Sequence, residues 1–108
     1  MIEWARIAQL RDDVGQHDFD EVVTLFLAEV DEAVGRLDGG APPEAIAAQL
    51  HYLKGSALNL GFRHFADLCQ QGEAASREGR FDPALLTQLR DVYGESRRRF
   101  LADLAARV

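Results

Sequence analysis

Apolar residues recur at helical spacing along this chain, and no segment bounded by hairpin turn signals alternates strictly between apolar and polar residues. That period predicts an all-α protein, with glycine and proline dividing the helices. Gly15, with Gln16 and His17, closes a short first helix that puts Trp4, Ile7, Leu10 and Val14 on one side. Asp18 and Glu21 have the spacing of an N-cap and its reciprocal partner, so a second helix is expected to start there. Its stripe is Phe19, Val22, Val23, Phe26, Val30, Val34 and Leu37, and Asp38, Gly39 and Gly40 end it. Pro42 and Pro43 suit the loop and first turn of a third helix.

The third helix carries Ile46, Leu50, Leu53, Ala57 and Leu60 on one narrow seam, with Gly61 as its closing C′ residue. A fourth, from about Phe62 to Glu78, turns Phe65, Leu68, Cys69, Gly72 and Ala75 inward and stops at Gly79. The last, from about Pro83 to Arg107, buries Leu86, Leu89, Tyr93, Phe100 and Leu104, with Gly94 a weak point inside it. Short connections between long helices favour antiparallel neighbours. The expected architecture is an antiparallel up-and-down four-helix bundle preceded by a short extra N-terminal helix, one domain over residues 1–108.

Charge narrows the partners. A formal charge of −6 argues against a nucleic-acid surface, which needs clustered Lys and Arg, and points to a protein partner. Arg97, Arg98 and Arg99 are consecutive and spread around a helix, so they read as a solvated face. A single cysteine, Cys69, excludes an internal disulfide and the multi-cysteine zinc sites. No stretch is apolar enough to span a membrane and the first residues lack signal-peptide blocks, so a soluble cytoplasmic protein is expected.

The stretch from His51 to Gly61 carries the chemistry. With the seam fixed by Leu50, Leu53, Ala57 and Leu60, a step of about 100° per residue puts Lys54, Gly55 and Leu58 beside His51 on an outward face. Helical side chains lean toward the N-terminus, so the ring should lie over Ala47 and Ala48, both too small to cover it. Lys54, the single lysine against eleven arginines, leans back over the same turn, where its ammonium can meet phosphoryl oxygens. Glycine inside a helix costs about 1 kcal/mol against alanine, so Gly55 suggests close approach by a partner. An exposed imidazole, with an unperturbed pKa of about 6.5, keeps a free lone pair at neutral pH and can attack phosphorus directly. Alone, a helical histidine means little; its coincidence with a lysine and a glycine on one face is what carries the reading.

This segment resembles the phosphorylation site of histidine-containing phosphotransfer (HPt) domains: histidine, two variable residues, lysine, glycine, then small residues. The likeness extends to Phe26 and Leu27 on the helix before the site and to Leu68 and Cys69 on the helix after it. It implies that His51 accepts the phosphoryl group, that Lys54 stabilises its charge, and that Gly55, Leu58 and Asn59 belong to a docking surface. Asn59 and Gly61 complete the motif. In the family a polar residue on the following helix often bonds the ring, and Glu73 is the candidate here. The resemblance further implies receiver domains of response regulators and a hybrid sensor kinase as partners, no cofactor bound by this chain, and Mg2+ on the receiver. Gly72 departs from the pattern: relatives carry a larger apolar residue there, so packing should be closer or leave a small void.

Three alternatives share some of these features. One is a module that binds receivers without transfer. Another is a metal-binding bundle using His51, His64, His17 and nearby carboxylates, disfavoured because the seam beside His51 is apolar. The third is the dimeric histidine region of a sensor kinase, disfavoured because four long helices can close a bundle alone, which predicts a monomer. No Gly-rich nucleotide segment is present, so no ATP-dependent kinase site is expected.

Overall fold

A computed structural model describes residues 2–107 as five helices: α1 (Trp4–Val14), α2 (Gln16–Gly35), α3 (Pro43–Asn59), α4 (Arg63–Arg77) and α5 (Pro83–Arg107). Among the described residues no helix is long and apolar enough to cross a membrane.

Glycine does the punctuation that its position in the sequence suggested. Gly61 adopts φ 72° and Gly79 φ 70°. At the first, Gly61 N–H bonds to Leu58 C=O at 3.1 Å and Phe62 N–H to Ala57 C=O at 2.9 Å. At the second, Gly79 N–H bonds to Ser76 C=O at 3.0 Å and Arg80 N–H to Ala75 C=O at 2.8 Å. These paired bonds satisfy carbonyls left over at a helix end and need the left-handed residue that glycine supplies.

Gly15 corrects the expected start of α2. At φ 86° it is the last cap of α1 and the first of α2 at once, so the chain turns on one residue and Gln16 and His17 are already helical. The expected cap by Asp18 with Glu21 does not form, because Asp18 lies inside the first turn and no side chain caps α2. There its negative charge still faces the positive helix end. Pro43 opens α3 as expected, with Asp38 Oδ1 accepting from Gly40 N–H at 2.9 Å in the loop before it.

One contiguous apolar core joins all five helices. Leu50, Leu53, Ala57 and Leu60 are wholly buried along α3, each leucine contributing about 1.5–3 kcal/mol relative to exposure. On α2 the buried residues are Phe19, Val23, Leu27, Val30 and Val34, with Leu37 buried just beyond its end: most of the expected stripe is inward, but Val22 and Phe26 are only half-buried and Leu27 takes an inward place instead. Phe62, Phe65, Tyr93 and Phe100 form an aromatic cluster, with Phe62 and Phe100 edge-to-face at 5.5 Å and Trp4 stacked on Phe100 at 5.7 Å. The leg before α1 is clamped to the turn between α3 and α4, where Glu3 N–H donates to Gly61 C=O at 2.8 Å. A side chain at Gly61 would collide with Glu3.

α3 packs most extensively on α4, and the two run antiparallel, since Leu50 meets Gly72 and His51 meets Glu73 across the turn at Gly61. Of the two outcomes expected at Gly72, the structure takes the close one. A Cβ there would stand 2.7 Å from Leu50 Cδ1 and 3.1 Å from Leu85 Cδ2, so neighbouring leucines fill the space. That close approach sets the distance between the two helices that carry the site.

Candidate functional site

The seam of α3 fixes what faces outward. With Leu50 and Leu53 committed to the core, His51 emerges between α3 and α4 with 64 % of its side chain exposed. Glu73, one turn before the end of α4, lies against it with only 13 % of its side chain exposed. His51 Nδ1 is 3.2 Å from both Glu73 Oε1 and Oε2. An ionised carboxylate only accepts, so Nδ1 carries the proton that is shared with it. The other ring nitrogen, Nε2, has no hydrogen-bond partner among the described residues.

Three groups surround the carboxylate. Arg77 Nη2 and Nε donate to Oε2 at 3.0 and 3.3 Å, His51 shares its Nδ1 proton, and Lys54 Nζ stands 3.8 Å from Oε1. Burial by itself would push the Glu73 carboxyl up, but the hydrogen bonds from Arg77 and His51 and the cation of Lys54 outweigh it and hold it below the usual carboxylate range. Glu73 is therefore a fixed negative charge under an exposed ring. Beneath it, burial pushes the Cys69 thiol up to about 12, which leaves it protonated and unreactive.

The residues singled out from sequence come together unequally. His51, Lys54, Gly55 and Leu58 share one face, with Leu58 45 % exposed and open space where a Gly55 side chain would stand. Nothing within this fold requires a glycine at 55. Lys54 is turned toward Glu73 rather than standing free over the ring. Asn59 is engaged elsewhere: its Oδ1 accepts from Arg6 Nη2 at 3.0 Å and ties the end of α3 to α1. Tyr52, 49 % exposed on the far side of Gly55, and Arg77 were not picked out from sequence. The i, i+4 spacing of Glu73 and Arg77 was the available signal for the second. Tyr52 also borders an open groove of about 610 Å³ between α2 and α3, with Ala33, Arg36, Ala48 and Gln49.

Elsewhere, the arginine run is not a uniformly solvated face. Arg97 reaches across to α2 and binds Asp31 through Nε and Nη2 at 3.0 and 3.1 Å, while Arg98 and Arg99 pair with Glu95 on their own helix. His17 and His64 are exposed. Among the described residues, no group of three or more His, Cys, Asp or Glu side chains is placed to hold a metal ion.

Comparison with curated proteins and with solved structures found no match. The family model described as Hpt domain matches residues 21–99, which takes in α3, α4, His51 and Glu73. The chain belongs to the Hpt domain family, the phosphotransfer modules of two-component signalling.

Proposed function

We propose that this Hpt domain carries a phosphoryl group on His51 Nε2 between aspartates of receiver domains. The observation that carries the reading is the exposed ring whose Nδ1 is held by Glu73 and whose Nε2 has no hydrogen-bond partner among the described residues. In the loading step the Nε2 lone pair attacks the phosphorus of a receiver's aspartyl phosphate. The N–P bond forms as the P–O bond to the aspartate breaks, and the aspartate leaves as a carboxylate. Nδ1 keeps its proton, so the ring becomes cationic, and the Glu73 charge beside it favours that form. Lys54, near the same face, meets the equatorial phosphoryl oxygens. Unloading is the reverse onto a second receiver.

Docking uses the outward face of α3. Gly55 lets the partner's active-site loop reach the helix backbone, and Leu58 and Tyr52 offer apolar contact on either side. Asn59 stands at the edge of this surface and helps it through its bond to Arg6. In this reading the receiver supplies Mg2+, a hybrid sensor kinase supplies the phosphoryl group upstream, and the chain has no kinase site of its own. The chain acts as a cytoplasmic monomer built as an antiparallel up-and-down four-helix bundle.

Incubation with a phosphorylated receiver tests the reading. Acid-labile, alkali-stable label should appear on the wild-type chain and vanish in His51→Gln, with circular dichroism unchanged. Equal label on both proteins would end the His51 assignment. A chain that binds the receiver but takes no label would instead be a receiver-binding module.

A further inference from the structure

A carboxylate can orient a ring only if it is itself held. Glu73 leaves α4 on a flexible stem, and its neighbours differ in how well they can fix it. Lys54 Nζ, at 3.8 Å from Oε1, is beyond hydrogen-bond distance. His51 Nδ1 is equidistant from both oxygens and does not select one. Arg77, one turn further along α4, places two N–H groups on Oε2. It is itself exposed, and no hydrogen bond joins it to His51 among the described residues.

An exposed pair at i, i+4 is ordinarily a minor stabiliser of its own helix. This pair differs because its acceptor is mostly buried and a reactive ring depends on that acceptor. We propose that Arg77 is a positioning residue for phosphotransfer: it pins the Glu73 carboxylate, which keeps the His51 proton on Nδ1 and the lone pair on Nε2. By occupying Oε2, Arg77 also leaves Lys54 loosely held and available to phosphoryl oxygens. Without it, Lys54 becomes the carboxylate's principal cation and is drawn away from the incoming group. The inference rests on the phosphocarrier reading for its consequence in transfer, whereas the tautomer it assigns can be measured without any phosphoryl donor.

The experiment uses the full chain with 15N-labelled histidine, and reads the two ring-nitrogen shifts of His51 at alkaline pH in wild type, Arg77→Ala, Arg77→Lys and Glu73→Ala. Arg99→Ala, which removes a comparable i, i+4 pair with Glu95, is the control. The share of Nε2–H tautomer should rise about two- to fivefold in Arg77→Ala, the range expected for loss of one exposed ion pair. It should return most of the way in Arg77→Lys, rise further in Glu73→Ala and stay at the wild-type value in Arg99→Ala. Transfer from a phosphorylated receiver should slow in the same order, at unchanged half-saturating receiver concentration. A wild-type tautomer ratio in Arg77→Ala, or an equal shift in Arg99→Ala, overturns the proposal. Absence of label on the wild-type chain would sink the carrier reading separately, since the ring shifts are read without transfer.

Discussion

Two carboxylates in this molecule are each gripped by an arginine and hold an aromatic ring on a neighbouring helix, yet only one leaves a reactive atom free. On α3 and α4, Glu73 is held by Arg77 and faces His51, whose side chain is 64 % exposed and whose Nε2 has no hydrogen-bond partner among the described residues. On α2 and α5, Asp31 takes two bonds from Arg97 and accepts the Tyr93 hydroxyl proton at 2.5 Å. Tyr93 is buried against Phe62 and Phe65, and its one polar atom is spent in that contact. The same ion pairing thus serves as a brace between helices in one place and as the mount of a nucleophile in the other. What differs is the ring: imidazole has a second nitrogen to spare, and its exposure lets a partner reach it.

If that distinction holds, substitutions at the two clusters should separate transfer from stability. The largest effect is expected at the docking face, where Gly55→Arg should slow transfer about a hundredfold by keeping reacting atoms apart while leaving the melting curve near wild type. Gly55→Ala, with open space for its methyl, should stabilise the helix by about 0.5–1 kcal/mol. Unfolding of Gly55→Arg by circular dichroism would assign the glycine to internal packing. Next, Glu73→Ala should slow transfer about tenfold to a hundredfold through loss of ring orientation. Lys54→Ala should slow it about tenfold, with little change in stability, because its cation is partly screened by solvent.

The brace should behave the other way. Asp31→Ala should cost about 1–2 kcal/mol in urea denaturation, a charge-assisted network discounted for its partial exposure, and leave transfer unchanged. A transfer defect as large as that of Glu73→Ala would erase the contrast between the two clusters.

The smallest effects are in pH dependence, where the two clusters should diverge in sign. The folded state lowers the Glu73 pKa below its ordinary 4.5, so its contribution is complete above that value and lost as pH falls through the folded pKa. Burial, with the bond to Asp31, raises the Tyr93 pKa above its ordinary 10.0, so that contribution is complete below pH 10.0 and lost as pH rises. Glu73→Gln should therefore close its stability gap to wild type on acidification. Tyr93→Phe should close its gap, about 1 kcal/mol at neutral pH, on alkalinisation. Parallel denaturation curves across both pH ranges check the pair, and a gap that widens in either direction would refute the corresponding assignment.

Much of the site was legible because α3 is a regular helix. Once Leu50, Leu53, Ala57 and Leu60 define the buried seam, a period of 3.6 residues leaves His51 and Leu58 no choice but to face outward. Glu73 could be nominated from the following helix, but only the separation of α3 and α4, set by Leu50 against Gly72, brings its carboxylate to 3.2 Å from the ring. The start of α2 was misread because Gly15 closes one helix and opens the next, whereas a capping pair at Asp18 and Glu21 looked equally competent in sequence. Arg97 was misread for a different reason, and the bond from Arg6 to Asn59 was hidden by the same one: the partners, Asp31 and Arg6, are distant in the chain.

From its residues alone, then, the chain determined an all-helical fold, the glycine and proline stops, and an imidazole on the outer face of one helix, because those depend on local backbone geometry and a short-range period. Tertiary structure decided which carboxylate meets that imidazole, which arginine grips the carboxylate, and where Lys54 turns. Those are contacts between separate helices, and their distances follow from how the core packs rather than from spacing along the chain.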